Sequence, residues 1–455
     1  MIEVLARALS SQILLILVGL STLQLLRGRT RIRWMPLLPY AWGVGVVVLY
    51  VLGQALVRTL RVGPWHLVAA ALMVAVIAAG VWRFGRAARA PDRRSPSAPW
   101  RWYEAVLLVL LAARIGIVAY LNGHDPIIDS DATLASGYAP LARKLGEGLS
   151  AREALADAGG QAVSPWGPPI LLAWVRMFLD RWHDSVAGLP WLFAYLSTIG
   201  VAFTTCRRVT GHRSLALACA WVIASLPLTA MHTFRIGYND LLTAYFVTLG
   251  LAVLTRAVLE PGRVGRTWLG LGVVALLGSA MSKMEGGVWA LCMAVAGLGY
   301  FLRRVRGVRW RRILTLQAAV ALVLLASYAW GAGEWLARAL GGRASYLAPH
   351  ALDPRALAMT FGFLFGWGSF NILWWLGPVI ALSLLVWDAP GDAKALVVYA
   401  GAMVAGVVLV ANVTGSVEFT VNGTNVGRFL LQVTGVLVPL VCAYARQFRV
   451  ADGRP

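Results

Sequence analysis

Thirteen apolar runs, most close to twenty residues long and separated by short arginine-rich or polar breaks, dominate this chain of 455 residues. They lie near 10–26, 36–56, 64–82, 103–121, 189–206, 214–232, 241–257, 267–282, 287–302, 313–331, 370–387, 395–412 and 428–445. A run of about 20 apolar residues spans the hydrocarbon core of a bilayer as a helix. In that medium every backbone N–H and C=O has to be bonded within the segment. The reading is an all-α polytopic membrane protein with about 13 transmembrane helices. Composition agrees: 59% of residues are hydrophobic and 13% charged, with a mean hydropathy of +0.70. Charged residues make up about 25% of a soluble protein, so the polar surface of a soluble enzyme, secreted disulfide scaffold or disordered chain is missing.

The net charge of +21 does not point to nucleic acid. Its arginines form short clusters between apolar runs, with almost no interleaved aromatic residues, and positive-inside topology accounts for them. Only Lys144, Lys283 and Lys394 are lysines. Basic clusters follow the first, third, fifth, seventh and ninth runs, and Arg446, Arg449 and Arg454 close the chain. Placing these clusters in the cytoplasm sets the N-terminus outside and the C-terminus inside, as in a bacterial inner membrane. The short run Pro168–Leu179 then becomes a helix lying at or dipping into the external surface, and Ala356–Gly366 reads the same way. The Pro-, Ser- and Arg-rich stretch 83–101 separates three N-terminal spans (1–101) from a larger transmembrane domain (102–455) with a long external loop, 122–188. Cys206, Cys219, Cys292 and Cys442 fall in or at the end of apolar runs, in no ligand spacing, and read as small buried hydrophobes.

Ionisable groups at the edge of an apolar layer are costly and mark candidate sites. They gather on the expected external side. The 122–188 loop holds eight acids against five bases, and HDPIIDSDA places Asp129 and Asp131 two apart directly after a span. Such a pair can hold a divalent cation, Mg or Mn, or supply a base for a hydroxyl proton; a solvated acidic loop is the simpler alternative. HTFRIGYND sets Arg235 and Asp240 at the mouth of the next span, where Asn239 and Asp240 could equally serve as a helix cap. SKMEGG carries Lys283 and Glu285, a catalytic or a structural ion pair. Arg428 opens the last span, to bind an anion or to snorkel. His124, His183, His232 and His350 also fall on this side, in spacings that match no zinc pattern.

The order SDATLASGYAPLARKL, SPWGPPILLAW, IGYNDLLTAYF, SKMEGGVWA and VGRFLLQ resembles that of the GT-C superfamily of polytopic glycosyltransferases, near the lipid A aminoarabinose transferase and protein O-mannosyltransferase group. The resemblance covers roughly residues 102–445. It implies a GT-C-like core with external juxtamembrane helices and a periplasmic active site in cell-envelope assembly. It also implies a polyprenyl-phosphate sugar donor and a lipid or glycan acceptor. Asp131 matches the family's first-loop catalytic aspartate and Asp240 its second-loop acid. Lys283 and Glu285 match the turn facing the donor phosphate, joined by Arg428 and Arg235, while Asp129 and Asp131 are the metal candidates. Ser130 replaces the family's usual aromatic, Trp166-Gly167-Pro168-Pro169 stands for Tyr-Pro-Pro, and the three leading spans are additional. The alternative is a multi-pass transporter or lipid-linked-sugar flippase, whose sites ordinarily lie at the midplane between repeats.

Overall fold

The apolar runs fold as helices, the one open conformation that bonds its own backbone in lipid. The computed structural model describes residues 2–27, 35–59, 65–86, 99–124, 127–128, 138–147, 149, 153–154, 167–236, 238–260, 266–327, 350–366, 371–386, 390–414, 417–421 and 426–451. Four long helices come first: α1 (Ile2–Arg27), α2 (Leu38–Thr59), α3 (Trp65–Arg86) and α4 (Trp102–His124). Short helices α5 (Tyr138–Gly146) and α6 (Gly167–Met177) follow, then α7 (Leu189–Thr210), α8 (Arg213–Ser225), α9 (Pro227–Phe234) and α10 (Asp240–Leu259). The chain continues through α11 (Arg266–Ser282), α12 (Met284–Arg306), α13 (Trp310–Ser327), α14 (Pro354–Phe361) and α15 (Asn371–Val386). It ends with α16 (Gly391–Val413), α17 (Val426–Gln432) and α18 (Leu437–Ala451). One two-residue parallel bridge interrupts the helical pattern, pairing β1 (Ile127–Ile128) with β2 (Arg235–Ile236).

Each expected span contains helix, but among the described residues fewer than thirteen helices meet the requirement for crossing. Among the described residues eight are long and apolar enough, or ten if two bent pairs each count as one span. The pairs are α8 with α9, bent by 58°, and α17 with the helix that follows, bent by 43°. Proline causes the first break: Leu226, held extended at ψ 120° ahead of Pro227, cannot continue the helix. The second break precedes Pro439, which has no N–H for the carbonyl four residues back. Arg114, within α4, donates to the Ala224 carbonyl at the α8 break, and the Tyr195 hydroxyl joins it there.

The lipid-facing character of the outer helices is direct. Leu67, Val74, Val81 and Trp82 of α3 and Val109 and Ile117 of α4 are exposed over much of their surface. A row of large apolar side chains like this is not tolerated in water. By contrast α2, α7 and α10 are mostly buried and form the centre. The first helices share that centre with the larger section: Tyr40 bonds Thr204 and Thr205, Tyr245 bonds the Pro39 carbonyl, and Trp42 packs edge-on against Tyr245.

Helix α6, expected at the external surface of the membrane, is covered by protein: Gly167–Val175 are all buried, packed against α5, α1, α2 and α11. Its Trp174 donates to the Ser11 carbonyl, and Ile170 fills the space left by Gly53. With Pro168 and Pro169 in its first turn it lacks two of the amides that would otherwise be unbonded there.

Helices α1 and α2 cross through glycines. A Cβ on Gly19 would lie 1.8 Å from the Ala41 carbonyl oxygen, and one on Gly45 2.0 Å from that of Leu15. Both contacts are with backbone and cannot be relieved by rotating a side chain. Small residues permit such close helix approach in membranes. Gly45→Val is therefore expected to force the pair apart at a cost of about 1–3 kcal/mol or more. A thermal unfolding series in detergent should show a clear fall for Gly45→Val, with Gly401→Ala, whose Cβ would meet open space, as the unaffected control.

Candidate functional site

Helix α10 starts at Asp240 and stays central along its length, so its first residue is carried into the protein rather than onto its surface. Asp240 is 0% exposed. A bare carboxylate in such a place is very unfavourable, and it persists only with partners. Lys283 Nζ donates to Oδ1 at 2.6 Å, Gln432 Nε2 to the same oxygen at 2.6 Å, and Arg428 Nε to Oδ2 at 3.0 Å. Glu285 lies 3.7 Å from Lys283 Nζ.

Local structure delivers these groups. Lys283 is the single residue linking α11 to α12, extended at φ −156° and ψ 155°. That tight reversal requires Gly286, where a Cβ would lie 1.9 Å from the Ser279 carbonyl oxygen. Ser279 Oγ in turn donates to the Gly286 carbonyl. Arg428 and Gln432 lie four apart on α17 and so share one face. Gln432 Oε1 accepts from Trp289 Nε1 at 2.6 Å, tying the cluster to α12. Arg428 lies 4.3 Å over the Tyr238 ring, and Tyr238 packs against His232. Trp191 donates to the Tyr238 carbonyl, and Asn122 bridges the Gly188 and Thr233 carbonyls. The starts of α7, α10, α12 and α17 and the ends of α4, α9 and α11 thus meet at one end of the bundle.

The structure brings together Asp240, Lys283, Glu285 and Arg428 from the sequence-predicted set. Asp240 and Asn239 do not act as side-chain caps: Asn239 makes no cap hydrogen bond, and its buried Oδ1 has no partner among the described residues. Arg428 does not snorkel but turns inward to Asp240. Lys283 favours Asp240 over its neighbour Glu285. Arg235 is placed by its backbone in β2, paired with Ile127, and its side chain is outside the described set. Asp129 and Asp131 lie outside the described residues, directly after β1 in sequence. Among the described residues no group of three His, Cys, Asp or Glu side chains could hold a metal ion.

Sequence reasoning missed Gln432, Trp289 and Tyr238. An amide four residues after Arg428 in an apolar run was the available signal for Gln432. Tyr238 and Trp289 lie inside the quoted motifs IGYNDLLTAYF and SKMEGGVWA, but nothing there assigns them a role.

Two cations and two carboxylates leave the cluster formally neutral. Its field is not neutral, because the amides at the starts of α10 and α12 add positive potential at the same place. Asp240, holding two cations and an amide, is an acceptor that positions cations rather than a base ready to take a proton. No family model matches the chain, and neither the curated proteins nor the solved structures contain a match.

Removing Asp240 takes from Lys283 and Arg428, both partly buried, their shared carboxylate partner, a destabilising change. Asp240→Leu is expected to lower the folded yield sharply, with Asp240→Asn milder. In a double-mutant cycle, Asp240→Asn with Arg428→Gln should show coupling of about 1 kcal/mol or more. Additive losses would mean the pair does not interact.

Proposed function

We propose that this is a GT-C-like membrane glycosyltransferase with about thirteen spans, which moves a sugar from a polyprenyl-phosphate donor to a hydroxyl of a lipid or glycan acceptor. Its active site is at the Asp240 end of the bundle, the periplasmic face of a bacterial inner membrane, with the C-terminus in the cytoplasm. The observation that carries this reading is the pair of partly buried cations, Lys283 and Arg428, bound to one fully buried carboxylate at an end of a membrane bundle. Cations placed in a low-dielectric site stabilise a departing phosphate far better than cations in water. Arginine adds a planar fork suited to phosphate oxygens.

In the reaction the acceptor oxygen bonds the anomeric carbon as the bond from that carbon to the phosphate oxygen breaks. The acceptor proton passes to Asp131, and the lipid phosphate leaves with its negative charge facing Lys283 and Arg428. Asp240 holds the two cations in place before the donor arrives, and the phosphate competes with it for them. Glu285 keeps Lys283 at the turn, and Arg235 flanks the same mouth. Asp129 and Asp131 would hold a Mg or Mn ion in a metal-dependent variant of this chemistry.

A transporter or lipid-linked-sugar flippase is the second reading. The bent pairs α8–α9 and α17–α18 favour it, since broken helices line transporter sites.

Membranes carrying wild-type protein are expected to transfer radiolabelled sugar from one member of a panel of polyprenyl-phosphate sugars. Asp131→Asn should abolish transfer without loss of protein. Lys283→Met and Arg428→Met should each lower kcat by about 100-fold or more, the scale of losing one transition-state charge contact. Movement of labelled lipid across vesicles without transfer would establish the flippase instead.

A further inference from the structure

The end of the bundle opposite Asp240 holds a second feature that sugar transfer does not use. Residues 303–312, RRVRGVRWRR, place six arginines on the last turn of α12, the connection and the first turn of α13. All six are exposed at positions 303, 304, 306, 309, 311 and 312. Arg303 faces Asp392 at 3.8 Å. Arg306, Arg309, Arg311 and Arg312 have no ion-pair or hydrogen-bond partner for their side chains among the described residues.

The turn is built rather than loose. Gly307 ends α12 at φ +68°, and Gly307 and Val308 both donate to the Leu302 carbonyl. Trp310 is buried as a wedge, its Nε1 donating to Asp392 Oδ1 at 2.6 Å and its ring edge-on to Tyr399 at 6.1 Å. The turn is thereby fastened to the start of α16, and the four arginines project from a fixed frame.

Its depth is defined by its flanks. Leu298 on α12 and Leu316 on α13 are strongly exposed, as lipid-facing residues are. At 1.5 Å per helical residue, Arg306 lies about 12 Å along the axis from Leu298, and Arg312 about 6 Å from Leu316. The headgroup layer is about 5–8 Å deep on each side of the hydrocarbon core. With Leu298 and Leu316 in the hydrocarbon, these distances put the four guanidinium groups within reach of the phosphate layer.

We propose that the α12–α13 turn is a binding site for the headgroups of anionic phospholipids, retained on the protein as bound lipid rather than as a diffuse ion cloud. Four exposed, unpaired arginines on a rigid turn within reach of the phosphate layer form a multivalent complement to lipid phosphates, and arginine clusters of this size beside a span attract anionic lipid. The inference does not depend on the enzymatic reading.

The test is native mass spectrometry of the full chain after delipidation in nonionic detergent and addition of phosphatidylglycerol or phosphatidylcholine. Wild type should retain phosphatidylglycerol over phosphatidylcholine. The variant R306Q/R309Q/R311Q/R312Q should lose at least about tenfold of that retention, and R306K/R309K/R311K/R312K should keep most of it. R207Q/R208Q, which removes two arginines elsewhere on the same end that are already bonded to the Gly211 carbonyl and Glu260, should match wild type. If the fourfold glutamine variant fails to insert, R306Q/R309Q and R311Q/R312Q are each expected to lower retention several-fold. Unchanged retention in the glutamine variants, or an equal loss in R207Q/R208Q, would overturn the proposal.

Discussion

A carboxylate at zero exposure inside a membrane bundle is the constraint around which the rest of one end is arranged. Asp240 needs positive partners and hydrogen-bond donors in a place where water is scarce. It obtains them from two separate segments: Lys283 from a one-residue turn, and Arg428 and Gln432 from a helix too short to span. Each segment departs from regular spanning helix at that point. The departures are tolerable because the polar groups they free lie within the protein rather than against lipid. The same rule explains Arg114, which meets the Ala224 carbonyl at the break ahead of Pro227.

Buried polarity elsewhere in the bundle has a different meaning. Thr198, Thr248 and Thr255 are buried too, yet each hydroxyl bonds a carbonyl four residues back on its own helix. Such groups satisfy themselves locally and call for no partner. Asp240 has no equivalent local solution, since a carboxylate only accepts and needs donors from other elements. The contrast separates a site from a merely polar core.

Much of the architecture was legible in sequence. Among the described residues the apolar runs appear as helices, and charged pairs collect at the two ends of the bundle. Arg208 meets Glu260 and Arg213 meets Glu104 at the arginine-rich end, while Lys283 and Arg428 meet Asp240 at the other. The number of helices able to cross was less legible. Hydropathy does not register a bend, so α8–α9 and α17–α18 each read as one straight span. Charge alternation and a short run place α6 at the external surface, but neither carries information about what packs over a helix, and Gly53 and Gly167 give it a berth among its neighbours.

Sequence by itself determined the medium and the ends: a chain this apolar and this poor in charge has to place helices in lipid, and segregated arginines distinguish one end from the other. It also singled out Asp240, Lys283, Glu285 and Arg428 as costly residues in apolar surroundings. Only the tertiary structure decided that Lys283 and Arg428, 145 positions apart in the chain, share the two oxygens of one carboxylate, and that Gln432 and Trp289 complete the connection. The physical reason is the range of the two signals. Hydrophobic length and charge are properties of a local stretch, whereas the pairing of a buried charge depends on which helices pack together, and that is set by glycine contacts and helix breaks distributed over the whole chain.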